Sequence, residues 1–127
     1  MTKGLFVLAH GSKAKEADET LMEIMEMIKE REMKEFSLIG FGSLQFSKPT
    51  FEEGIEDLIQ RGAKEIVIVP MFLFKGNHIQ MDIPEELEAL QKKHSDVTFV
   101  IGKHIGADRR IAEIIEERGK EAIGCTL

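Results

Sequence analysis

Three histidines in this chain stand where apolar runs give way to glycine-containing loops. His10 lies in Ala9-His10-Gly11-Ser12, His78 in Gly76-Asn77-His78, and His104 in Gly102-Lys103-His104. Imidazole is a borderline ligand for iron, cobalt, nickel and zinc, and two or three neutral ring nitrogens with open positions suit a metal that is held and then released. A closed structural zinc site would ask for four ligands, commonly in Cys-x-x-Cys pairs. The chain has one cysteine, Cys125, near its end, which can make no intramolecular disulfide. Around the histidines lie Lys13, Lys48, Lys75, Lys103, Arg109 and Arg110. They could form a ring that binds the carboxylates of an anionic ligand against an acidic average.

A competing chemistry is phosphoryl transfer through a phosphohistidine at His10, because a His-Gly step after a first strand also occurs in histidine phosphatases. Those enzymes carry arginine before the histidine. Here Ala9 takes that place, which removes the guanidinium that would clamp phosphate.

The elements that must position these side chains follow from periodicity. Lys3 to Ala9 reads as a strand, and Ala17, Leu21, Ile24, Met25 and Ile28 follow at helical spacing. Phe36 to Phe46 is a second strand candidate, broken by Gly40 and Gly42. Thr50 and Glu53 have the spacing of a capping box ahead of Ile55, Leu58 and Ile59, and Gly62 ends that helix. The run from Ile66 reads as a strand buried on both faces and breaks at Lys75-Gly76-Asn77. Asp82 and Glu85 repeat the capping-box spacing, with Pro84 in the first turn. Val97 to Ile101 is a fourth strand, and Asp108 opens a last helix with Ile111, Ile114 and Ile115 expected to face inward.

Strand and helix alternate four times, so the expected fold is α/β: a four-stranded parallel sheet joined by right-handed crossovers, with helices on both faces in a three-layer sandwich. In such sheets ligands bind outside the carboxyl ends of the strands. The pattern therefore collects His10, His78 and His104 on one rim, and leaves His94 at a helix end on the opposite side.

At 127 residues the chain is expected to form a single domain spanning 1–127. A net charge of −6 and the absence of Trp and Tyr argue against nucleic acid as a partner. No apolar run approaches the roughly 18 to 20 residues that span a bilayer, and the first ten residues lack a long apolar signal segment. No membrane partner and a cytoplasmic address are the expectations.

With these residues in view the chain resembles the small, single-domain class II sirohydrochlorin chelatases. The resemblance rests on Ala9-His10-Gly11-Ser12, on Gly76-Asn77-His78 leading to Asp82-Ile83-Pro84, and on Pro70-Met71-Phe72-Leu73. Lys48-Pro49-Thr50 and Ile105-Gly106-Ala107-Asp108 extend it over nearly the whole chain. It implies a flavodoxin-like, chelatase-like arrangement of the sandwich and an enzyme of the lyase class. The implied reaction inserts a divalent metal, Co²⁺ first and Fe²⁺ or Ni²⁺ as alternatives, into a sirohydrochlorin-type tetrapyrrole in cobalamin or sirohaem biosynthesis. It implies His10 and His78 as metal-binding catalytic residues, the metal as substrate, and no organic cofactor. Gln45, Lys48, Lys75, Gly76 and His104 are the expected substrate contacts. Where relatives commonly carry glutamate in a Phe-Leu-Glu run, this chain has Ser43-Leu44-Gln45, and an amide hydrogen-bonds but takes no proton at neutral pH. Longer relatives look like two such units fused, so a homodimer is expected, with the methionine-rich stretch Met22 to Met33 one place for the contact. The alternative is a non-catalytic metal or tetrapyrrole carrier on the same rim.

Overall fold

A computed structural model describes residues 2–76 and 82–124. Four strands, β1 (Lys3–Ala9), β2 (Leu38–Ser43), β3 (Glu65–Pro70) and β4 (Thr98–Ile101), alternate with four helices, α1 (Lys15–Glu30), α2 (Phe51–Gln60), α3 (Ile83–Lys93) and α4 (Arg109–Ile123). All the strand pairs are parallel and the order is β2-β1-β3-β4. The α/β sandwich expected from the pattern is the fold observed.

Strand β1 is central and its side chains alternate between two cores. Phe6 and Leu8 join α2 and α3 through Phe51, Ile55, Leu58, Ile83, Leu87 and Leu90. Val7 and Ala9 point the other way, onto Leu21 and Met25 of α1. Ile55 and Leu58 are fully buried, each contributing about 1.5–3 kcal/mol of transfer free energy. The Phe6 and Phe51 rings meet at 5.6 Å.

Helix α2 begins with the capping box its sequence announces: the Glu53 amide donates to Thr50 Oγ1 at 3.1 Å, and the Thr50 amide donates to Glu53 Oε1 at 2.8 Å. Asp108 caps α4, accepting from the Arg110 amide at 2.9 Å. The box expected at Asp82 does not form. Asp82 already has helical angles (φ −73°, ψ −42°) and makes no side-chain cap bond, because Pro at the first turn presets the helix by itself.

Two further expectations are corrected. Strand β3 stops at Pro70, and the apolar residues beyond it serve different ends: Phe72 folds into the core, whereas Leu73 and Phe74 are exposed. Helix α4 buries none of its residues, so Ile114 and Ile115 do not face a core of this chain.

The connections fix where a ligand can sit. From β1 the chain runs to α1 on one face, and from β3 to α3 on the other, as the two cores show. Because β1 and β3 are neighbours, their carboxyl ends part to leave a crevice at the topological switch point of the sheet. His10 follows β1 at this point, and residues 71–76 follow β3.

Candidate functional site

Hydrogen bonding that continues the parallel ladder past the strand ends builds the floor of the crevice. The Leu44 amide donates to the Ala9 carbonyl at 3.0 Å, and the Gln45 amide to the His10 carbonyl at 3.2 Å. On the other side the Met71 amide donates to the Leu8 carbonyl at 2.8 Å. Gln45 is thereby placed beside His10, with its Nε2 at 3.4 Å from His10 Nδ1. The Phe72 ring lies against the imidazole with centroids 5.3 Å apart. His10 is exposed, so the ring is braced on its flanks and open toward solvent.

The amide of Gln45 can serve either tautomer of His10. Presenting N–H, it donates to an unprotonated Nδ1; turned over, its carbonyl accepts from Nδ1–H and the Nε2 lone pair points outward as a ligand. A carboxylate would enforce only the second arrangement.

A pair of serines clamps the two loops. Ser47 Oγ donates to the Ser12 carbonyl at 3.0 Å and accepts from the Ser12 amide at 3.2 Å, while Ser12 Oγ accepts from the Ala14 amide at 3.0 Å. Below His10 a cavity of about 190 Å³ is lined by Asp18, Leu21, Ser43, Ser47 and Met71 among others. Sequence reading gave no role to Ser12, Ser47, Asp18 or Phe72. Ser12 and Phe72 did carry a signal, as members of the His-Gly-Ser and Pro-Met-Phe-Leu motifs.

The other expected site residues spread along the rim. His78 lies outside the described residues, as does Cys125. Lys75 and Gly76 are exposed on the segment after β3, and among the described residues nothing crowds Gly76. Lys48 stands by α2, where it helps to hold the Glu53 carboxyl below the usual carboxylate range, behind the larger effect of the Thr50 hydrogen bond. Glu53 is thus committed to its cap and is a poor proton acceptor.

His104 belongs to the same rim, one strand further out. The Ile105 and Gly106 amides donate to the Pro70 and Phe72 carbonyls at 3.3 and 3.2 Å, tying this loop to the segment that carries Phe72. His104 opens onto its own depression of about 460 Å³ with Lys103, Asp108, Arg110 and Ile111. Arg110 grips Asp108 there through Nε and Nη2 at 2.8 and 2.9 Å, and these bonds hold the Asp108 carboxyl far below its usual range. Among the described residues no group of three or more His, Cys, Asp and Glu side chains is placed to hold a metal ion. His10 and His104 therefore form no such cluster with each other and described carboxylates.

Residues 4–122 match the CbiX family. The chain is 33% identical over 120 residues to a sirohydrochlorin cobaltochelatase of Sulfolobus acidocaldarius, covering 94% of this chain and 92% of that one. It is 31% identical over 140 residues to the sirohydrochlorin cobaltochelatase of Methanocaldococcus jannaschii, covering 91% and 96%. Among solved structures, the sirohydrochlorin chelatase SirB from Bacillus subtilis subspecies spizizenii in complex with cobalt superposes with a TM-score of 0.88 at 27% identity. That match takes in 95% of this chain and 51% of SirB. SirB from Bacillus subtilis with Fe³⁺ gives 0.87 at 28% identity, over 99% of this chain and 49% of SirB.

Proposed function

Because the chain belongs to the CbiX family, we propose that it is a sirohydrochlorin chelatase, a lyase that inserts a divalent metal ion into sirohydrochlorin and releases two protons. The metal is a substrate, with Co²⁺ the first choice, since the full-length relatives are cobaltochelatases. Fe²⁺ and Ni²⁺ are the alternatives that imidazole ligation admits.

The observation that carries this reading is the placement of an exposed, braced imidazole at the switch point between β1 and β3. Insertion requires that water be stripped from the metal, that the metal be offered to one face of the macrocycle, and that two pyrrole protons be taken away. His10, held by Gln45 and Phe72, supplies one neutral nitrogen for the first two steps. His78 is proposed as the second ligand, on the segment that follows β3. Once the metal has moved into the macrocycle the imidazole nitrogens are free to take the pyrrole protons. Gln45, Lys48, Lys75, Gly76 and His104 are proposed as contacts along the substrate's edge, Gln45 also hydrogen-bonding His10 in either tautomer.

The proposed working unit is a homodimer. The two SirB structures are about twice as long as this chain, which matches 51% and 49% of them. The apolar face of α4, with Leu73 and Phe74 beside it, is the surface we assign to the contact; on α1, Met25 is buried in the protomer's own core while Met22 and Met27 are exposed. The setting proposed is cytoplasmic cobalamin-type or sirohaem-type biosynthesis; among the described residues no helix is long and apolar enough to cross a membrane.

The test is multiple-turnover insertion of Co²⁺, Fe²⁺ and Ni²⁺ into sirohydrochlorin under anaerobic conditions, followed by absorbance. Rates above background are expected, falling on the order of 100-fold or more in His10→Ala and His78→Ala. Stoichiometric uptake without turnover would replace the chelatase reading with the carrier.

A further inference from the structure

The loop after β2 carries a side chain that the folding of this chain does not explain. Phe46 has a φ of +65°, in the left-handed region that residues with a Cβ seldom enter. The backbone is driven there by its neighbours: the Gln45 amide is fixed to the His10 carbonyl, the Ser47 amide donates to the Gln45 carbonyl at 2.7 Å, and Ser47 is locked to Ser12. A glycine at this position would satisfy the turn without strain. Instead the chain places an aromatic ring there and leaves it 62% exposed.

Strain of this kind persists where the surrounding structure over-determines it, and it gathers at binding sites. The location fits. Phe46 follows Gln45, whose amide touches His10, and its ring meets Lys13, three residues beyond His10, so the pair bridges the two loops that flank His10. Lys13, on the facing loop, holds its ammonium 5.0 Å from the ring centroid. The pair combines an apolar surface with a cation held beside it by the ring's negative face. A flat macrocycle fringed with carboxylates is complementary to both parts. Its periphery can pack on the ring, and one of its carboxylates can take the ammonium.

We propose that Phe46 and Lys13 form a substrate-binding wall beside His10, in which Phe46 packs on the tetrapyrrole and Lys13 pairs with a peripheral carboxylate. This rests on the chelatase reading, since sirohydrochlorin is the ligand it assigns. It adds two residues to the site and gives a reason for an aromatic where the backbone favours glycine.

The experiment titrates metal-free sirohydrochlorin into the wild type, Phe46→Ala, Phe46→Gly and Lys13→Gln by absorbance, with Co²⁺ binding measured separately and urea melts run on each. Both Phe46 variants are expected to weaken sirohydrochlorin binding about tenfold, equivalent to ~1.4 kcal/mol, while Co²⁺ affinity holds. Phe46→Gly is expected to bind weakly although its melt is at least as stable as the wild type's. Lys13→Gln is expected to weaken binding several-fold and to flatten its dependence on salt. Wild-type affinity in Phe46→Gly would overturn the proposal, and so would a parallel loss of Co²⁺ binding, which would mark collapse of the whole site. A wild type that does not bind sirohydrochlorin refutes the chelatase reading itself, and the wall falls with it.

Discussion

Replacing Gly11 by alanine tests whether close packing of two loops holds the crevice at His10. At Gly11 φ is +90°, and an added Cβ would overlap the carbonyl oxygen of Gln45. The backbone angle alone costs an L-residue about 1–2 kcal/mol. Forcing a methyl into filled space costs about 1–3 kcal/mol more. Gly62 separates these contributions, since its φ is +107° but nothing lies within 4 Å of where a Cβ would stand. Gly62→Ala should therefore lose only the about 1–2 kcal/mol of the angle. Gly76 has no left-handed φ and, among the described residues, no neighbour within 4 Å of where a Cβ would stand, so Gly76→Ala should match the wild type or gain up to about 1 kcal/mol. Urea melts should rank Gly76→Ala first, then wild type, Gly62→Ala and Gly11→Ala, the last down by about 2–5 kcal/mol. Metal insertion supplies the second axis. Gly11→Ala should lose insertion beyond its loss of stability, because the displaced loop carries Gln45, whereas Gly62, at the far end of α2, should leave the rate unchanged. A Gly11→Ala variant as stable as Gly62→Ala, with a wild-type rate, would refute the claim that the loops are packed against each other.

Acid titration should expose the pair that joins α2 to α3. His94 Nε2 lies 2.8 Å from Glu56 Oε1 and Lys93 Nζ lies 3.0 Å from it, and these bonds, the histidine's first, lower the Glu56 pKa. A depressed carboxylate stabilises the fold above its unfolded value and loses that contribution as pH falls through the folded value. Glu56→Gln is therefore expected to flatten the decline in stability below about pH 4.3, measured by melts at descending pH. An acid limb as steep as the wild type's would refute it. For the dimer, sedimentation at micromolar concentration should show twice the chain mass for the wild type and the single-chain mass for Ile115→Glu. A wild type that sediments as a single chain would end that proposal.

The architecture was legible because each element announced itself locally. Helix α2 shows this best: Thr50 and Glu53 are spaced for reciprocal bonds, the apolar positions recur at helical intervals, and Gly62 closes the helix with a φ no other residue adopts easily. Where two devices competed for one position, spacing misled. Asp82 and Glu85 have the intervals of a capping box, but Pro84 sets the first turn without it. The apolar run after Ile66 likewise concealed its own end. Met71 to Phe74 continue the composition of a strand, yet only tertiary structure decides that Phe72 turns inward against His10 while Leu73 and Phe74 stay outside.

The site was legible as residue types and opaque as contacts. Position after a strand brought His10 to the rim, and the resemblance pointed to Gln45, which the sequence placed within a strand that in fact ends at Ser43. Their approach to 3.4 Å depends on hydrogen bonds between residues thirty-five apart, which no local pattern encodes. The serine clamp has the same origin. Helix α4 shows the limit from the other side, because periodicity reveals an apolar stripe without saying what covers it. Leu73, Phe74, Ile114 and Ile115 remain 52, 83, 47 and 66% exposed. Full burial of each such side chain is worth about 1.5–3 kcal/mol, so covering what is left would yield roughly 4–7 kcal/mol per protomer and about twice that across a twofold interface. Association itself costs about 4–15 kcal/mol. The two ranges overlap, so this patch can hold two protomers together only if most of it is covered at once. For the proposed dimer, that requirement favours a second copy presenting the same helix over scattered contacts.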